Sequence, residues 1–148
     1  MKWLLVNSSL RQEIYELWNT DEKLLTIYSH PDKGTLRIAT DDAKRVFLID
    51  KKGFLRSRTV LRNEYGVSMG QLFHDGIQED QGDLVIDGEE FYYQIANDSR
   101  REATIYKNSE IFVTCQLPAV AKDQDLLILA LCWYATTAVK FEEYAQVI

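Results

Sequence analysis

The sequence predicts a mainly β domain: a closed antiparallel barrel of about ten to twelve strands around one buried, apolar C-terminal helix. Two observations carry this. Leu126 to Val139, LLILALCWYATTAV, is an uncharged and mostly apolar run. Nearly everything before it alternates apolar and polar side chains, with turn residues recurring roughly every 8–12 positions, the rhythm of a sandwich or barrel.

The run itself is read as a core helix. Fourteen helical residues span ~21 Å, whereas a bilayer crossing needs ~20 apolar residues. Tyr134, Thr136 and Thr137 lie inside the run, and Lys140, Glu142 and Glu143 follow it instead of a basic cluster. A helix that is apolar all round must be buried on all sides. Asp123 or Asp125 can accept the orphan N–H groups at its start, and Lys140 suits the opposite pole of the helix dipole. The expected helix covers about 124–140.

The strands follow from period and punctuation. Ile14, Glu16 and Trp18 alternate with Tyr15 and Leu17; Leu25 and Ile27 come next, then a Pro31-Asp32-Lys33-Gly34 turn, then Leu36 and Ile38. Val46 to Ile49 is a short apolar strand, and Asp50-Lys51-Lys52-Gly53 reads as a turn with Gly where positive φ is cheap. Phe54 to Arg62 and Val67 to Phe73 are strands separated at Gly66. Leu84 to Ile86 meets Phe91 to Ala96 across Asp87-Gly88, the strongest hairpin signal in the chain. Ala103 to Tyr106 and Ile111 to Cys115 form a last hairpin around Lys107-Asn108-Ser109-Glu110.

Composition fits one domain over 1–148. The chain has 148 residues, 46% hydrophobic and 27% charged, the balance of a globular fold with a real core. Cys115 and Cys132 sit in apolar context and read as buried reduced thiols, with a disulfide between them left open at this stage. Met1 to Asn7 is too short an apolar stretch for a signal peptide and shows no small-residue cleavage site. The expectation is a cytoplasmic protein, peripheral at the membrane if it meets one.

Strands and helix are reconciled if the sheet closes around the helix, which also removes the sheet edges that invite aggregation. The residues that carry a family likeness are Arg45-Val46-Phe47-Leu48-Ile49-Asp50-Lys51-Lys52-Gly53-Phe54-Leu55, together with Asp123-Gln124-Asp125 leading into Leu126–Val139. This order resembles the tubby carboxyl-terminal superfamily, including its LURP-one-related and phospholipid-scramblase-like members, from about residue 12 onward. The resemblance implies a closed barrel around a central helix, and a phosphoinositide head group held by basic residues of the barrel wall.

Charge supplies the functional lead. Lys44, Arg45, Lys51, Lys52, Arg56, Arg58 and Arg62 face only Asp50 in their stretch, a local +6 within a chain of −6. Arg offers a planar fork of donors and Lys a point charge, and both suit phosphate. Arg45, Lys51, Lys52, Arg56 and Arg58 are therefore the candidate anion ligands, with Arg56, Arg58 and Arg62 sharing strand parity. The competing reading is a solvated, ion-paired barrel face. Asp75 to Glu90 carries seven carboxylates and no cation, without EF-hand spacing, and reads as solvated loop and turn. Asp123 and Asp125 occupy the place of the acidic segment before the helix in scramblase-like proteins, but two carboxylates are few for calcium, so capping is expected.

Catalysis finds little support. His30 beside Pro31 and His74 beside Asp75 are read as surface turn residues, and no nucleophile elbow or paired metal-ligand spacing accompanies them. A pI of about 4.9 disfavours nucleic acid. No cofactor is expected. The sequence thus points to a non-enzymatic binding or scaffolding module for an anionic ligand or a protein partner. The alternative is a scramblase-like lipid-handling protein whose C-terminal helix meets the bilayer.

Overall fold

The computed structural model describes residues 1–41, 43–52, 58–75, 78–96, 98–119 and 124–147, with the side chains of 52, 75, 78, 79 and 139–147 outside that description. Eleven strands precede one helix: β1 Lys2–Ser8, β2 Glu13–Asn19, β3 Glu22–His30, β4 Thr35–Ala39, β5 Lys44–Lys52 and β6 Arg58–Asn63. The chain continues as β7 Ser68–Asp75, β8 Gln78–Ile86, β9 Glu89–Ile95, β10 Glu102–Lys107, β11 Glu110–Gln116 and α1 Gln124–Val147. The strands close into a barrel in the order β1-β11-β10-β9-β8-β7-β6-β5-β4-β3-β2.

Each strand pairs antiparallel with the next along the chain, as the alternating pattern requires. Closure is the exception: β1 and β11 run parallel and meet at Lys2 and Gln116. Gln116 N–H donates to the Met1 carbonyl at 3.0 Å there. The barrel is therefore antiparallel apart from this one seam.

Alternation assigns the inner face. Tyr15, Leu17, Leu25, Ile27, Leu36 and Ile38 point inward from β2 to β4 and are fully buried. Leu61, Leu72, Leu84, Ile86, Tyr93 and Ile105 continue the ring on the far wall. Inside it runs α1. Leu127 to Cys132 have no solvent exposure, so the helix is covered on its whole circumference by the barrel. Side chains from eight strands can fill a barrel unaided; eleven leave a lumen that needs a plug. Trp133 packs edge-on against Phe47 of β5, with centroids 5.3 Å apart. Thr136 and Thr137 both donate to the Trp133 carbonyl, at 2.8 and 2.9 Å, which satisfies their hydroxyls inside an apolar helix.

Three expectations change, and one strand is added. The helix extends past Lys140 to Val147. Residues 2–8 form a strand, with Trp3 in the core. Asp50, Lys51 and Lys52 belong to β5 instead of a turn, and the following strand begins at Arg58; Phe54 to Ser57 lie outside the described residues. Gln78 to Asp83, read as acidic loop, is the first part of β8. No helix among the described residues is long and apolar enough to cross a membrane.

Leu129 tests the plug. Leu129→Ala should cost ~2–5 kcal/mol in denaturant unfolding, as for other buried leucines. Leu129→Asp places an unpaired charge in the lumen, and the penalty should exceed the ~5–15 kcal/mol that holds a domain folded. Soluble, cooperatively folding Leu129→Asp protein would refute a lumenal helix.

Candidate functional site

With the lumen filled, the barrel offers chemistry at its two mouths and on its outer wall. The proximal mouth is the one where α1 begins. There the Asp125 carboxylate accepts from Thr59 Oγ1 at 3.1 Å and stands 3.0 Å from His74 Nε2. His74 Nδ1 in turn lies 3.0 Å from the Tyr93 hydroxyl. One neutral tautomer satisfies the whole chain: Nε2–H donates to Asp125 and Nδ1 accepts from the Tyr93 O–H. The four residues come from β6, β7, β9 and α1, so the network ties the start of the helix to three strands.

A glycine makes the reach available. Gly82 lies between His74 and Tyr93 in the β7–β8–β9 register. A Cβ there would stand 2.0 Å from the Phe73 carbonyl oxygen and 2.8 Å from the Tyr93 ring. His74 is thus no surface turn residue; its side chain is 14% exposed and that of Asp125 13%. Asp125 lies in the first turn of α1, and its carboxylate binds the barrel wall. The Asp–His–Tyr order looks like a proton relay, but Tyr93 is completely buried and offers a substrate no reachable oxygen. Asp123 lies outside the described residues, and no group of three or more metal-ligating side chains occurs among the described ones.

The predicted anion ligands do not share one face. Odd positions of β5 turn inward, as Phe47 shows, and even positions such as Val46 and Leu48 face outward. Arg45 and Lys51 are accordingly both lumenal, but at opposite ends of the strand. Lys51 borders a cavity of about 320 Å³ at the proximal mouth, with His30, Gly34 and Leu126. His30 ends β3 there, its Nε2 3.1 Å from Gln12 Nε2. Arg58 is opposite Lys52 in the register and faces outward, since its neighbours Thr59 and Leu61 are buried inward. Arg56 and the Lys52 side chain lie outside the described residues. Arg62 serves the wall: Nε is 3.9 Å from Asp50, and Nη1 donates to the Gly66 carbonyl at 3.2 Å.

Arg45 is placed differently. At the distal mouth, where α1 leaves the apolar lumen, it borders a cavity of about 540 Å³. Leu24, Ile38, Trp133 and Tyr134 give this cavity an apolar and aromatic lining, and Thr40 and Thr137 add hydroxyls. The Arg45 guanidinium sits 5.3 Å from the Phe47 ring centroid. Lys23, also at the rim, is turned to Glu16 at 3.5 Å. Burial, and then the Glu22 carboxylate, raise the Tyr134 phenol above its ordinary range, so it is a neutral hydroxyl at physiological pH. Sequence spacing pointed to Arg45 but gave no sign that Trp133 and Tyr134 would meet it.

Cys115 and Cys132 are free and buried. Burial pushes both thiols up to about 12. No protein-family model, curated protein or solved structure matches this chain.

Two outcomes follow from these geometries. Asp125→Ala strips Thr59 and His74 of a shared acceptor and should cost ~1–3 kcal/mol, the penalty for leaving buried polar groups unpaired. Melting temperatures in calcium and in chelator should agree for the wild type; a calcium-dependent rise lost in Asp125→Ala would contradict the structural role. Both thiols should resist a disulfide reagent at pH 8 until the chain unfolds. Because the native thiols bind protons more tightly than unfolded ones, they remove stability as pH rises above 9, the unfolded value.

Proposed function

We propose that this chain is a non-enzymatic binding module, a tubby-like barrel of the LURP-one-related and scramblase-like kind, which holds an anionic ligand at its distal mouth. The supporting observation is Arg45: a cation with no ion-pair partner among the described residues, at the rim of an aromatic cavity large enough for a small molecule. The lining suits a ligand with an apolar body against Trp133 and Tyr134 and a phosphate or carboxylate toward Arg45. A phosphoinositide or another anionic lipid has that build. The burial of Leu127 to Cys132 favours this reading over one in which the helix leaves the barrel for a bilayer. Two buried, unpaired thiols are consistent with the reducing cytoplasm, where such a module would meet membrane lipids peripherally.

Trp133 supplies the test. Dodecyl phosphate titrated into the protein should change tryptophan emission, and Trp133→Phe should lose that change. Dodecanol and free inositol phosphate, each with half of the required chemistry, should bind more weakly. Arg45→Ala should weaken dodecyl phosphate about tenfold, the ~1.4 kcal/mol of one charge-assisted contact. Lys51→Ala, at the other mouth, should leave it unchanged. No response in the wild type, or equal binding by Arg45→Ala, would overturn the reading.

A further inference from the structure

The distal rim carries charge of both signs, and Arg45 is only one part of it. Glu22 and Asp41 also border the cavity of about 540 Å³. Neither carboxylate has an ion-pair partner among the described residues. Lys23 follows Glu22 in the chain and borders the same cavity, but its ammonium is turned to Glu16 at 3.5 Å. Glu22 is therefore left uncompensated.

The backbone fixes where these charges stand. Glu22 opens β3, opposite Asn19 in the β2–β3 hairpin. Asp41 lies in the β4–β5 turn. Thr40 N–H donates there to the Ala43 carbonyl at 2.8 Å, and Ala43 N–H donates to Thr40 Oγ1 at 3.1 Å. Arg45 follows on β5, opposite Ile38. Because β3, β4 and β5 are neighbours in the barrel, one guanidinium and two carboxylates border the same space as Trp133 and Tyr134 of α1. The Glu22 carboxylate is near enough to Tyr134 to help raise its phenol, which sets a ring beside a carboxylate. A ligand bearing only negative charge gains Arg45 but is opposed by Glu22 and Asp41. A ligand bearing only positive charge meets the reverse. A molecule with both signs a few bonds apart suits all three groups.

We propose that the ligand of the distal mouth has a zwitterionic head group, a phosphodiester joined by a short link to a quaternary ammonium, at the end of an apolar chain. This rests on the Arg45 reading and names the rest of the ligand. The phosphate accepts from the planar fork of guanidinium donors. A quaternary ammonium has no hydrogen to donate and keeps its charge at every pH. Ring faces and nearby carboxylates recognise it, without directed bonds. Tyr134 beside Glu22 supplies that pair, and Asp41 adds a second carboxylate. Leu24, Ile38 and Trp133 remain for the chain.

The experiment compares two dodecyl phosphodiesters below their micelle concentrations, read by Trp133 emission. One is dodecylphosphocholine; the other is dodecyl neohexyl phosphate, of the same shape with carbon in place of the charged nitrogen. Wild type should bind the choline ester several-fold more tightly. Glu22→Gln/Asp41→Asn, at two exposed positions, should melt as the wild type does, bind the neohexyl ester at least as well, and lose the preference. Arg45→Ala should weaken both esters. Glycerophosphocholine, the head group without the chain, should compete weakly; competition as strong as that of dodecylphosphocholine would overturn the lipid source. Equal wild-type affinity for the two esters, or a preference that survives in the double variant, would overturn the zwitterion. Dodecyl phosphate still binding through Arg45 would then leave the anion reading standing. No emission change with any of the alkyl phosphates would overturn both.

Discussion

An α-helix that is apolar around its whole circumference can be hidden only by a surface without a missing side. That constraint organises the molecule. A layer of sheet covers one stripe of a helix, and a sandwich of two sheets leaves its flanks wet. Closing the sheet covers every side, at a strand number that gives a lumen wide enough for a helix. Leu127 to Cys132 are buried all round because eleven strands surround them. The dependence is mutual: without the plug, the inward leucines and isoleucines would face an empty channel, where their dispersion contacts would be lost.

The same arrangement explains where polar chemistry appears. The first turn of the helix meets the rim of the barrel, and there the wall supplies Thr59 and His74 to Asp125. A buried carboxylate without donors would be costly, whereas one with two donors fixes the register of the helix along the barrel axis. Gly82 is part of this device, since any side chain at that position would collide with the wall that carries the tyrosine. At the other mouth the helix turns amphiphilic, through Trp133, Tyr134 and Thr137, because the barrel no longer covers it completely.

Much of the fold was legible because the decisive signals were local. Alternation is a property of neighbouring residues, and the Asp87-Gly88 hairpin declares itself through two positive-φ positions, +51° and +79°. Length and flanking charge separated a core helix from a membrane span. What was not legible depends on partners far apart in sequence. β1 pairs with its neighbour β2, but its part in closing the barrel comes from the parallel contact with Gln116 at the far end of the sheet. His74 carries no local mark of burial; the available signal was the isolated Gly82 inside an alternating stretch, which denotes close backbone approach. The basic stretch shows the limit of counting charges. Its residues are contiguous, but strand alternation divides inward Arg45 and Lys51 from outward Arg58, and the length of β5 then sends Arg45 and Lys51 to opposite mouths.

A filled barrel therefore reads its surroundings at its rims and on its wall, never through its lumen. Inside, the helix has taken every lumenal contact, and the thiols and the Tyr93 hydroxyl are sealed with it. Charge sorts the remaining surfaces. The distal rim joins a cation to aromatic rings through Arg45 and Trp133, whereas the β8–β10 wall joins carboxylates to aromatic rings through Glu90 and Tyr92. In both places aromatic surface supplies non-directional attraction and the charged group supplies selectivity. One scaffold thus carries aromatic surface in two places, at the distal rim beside Arg45 and on the wall beside Glu90.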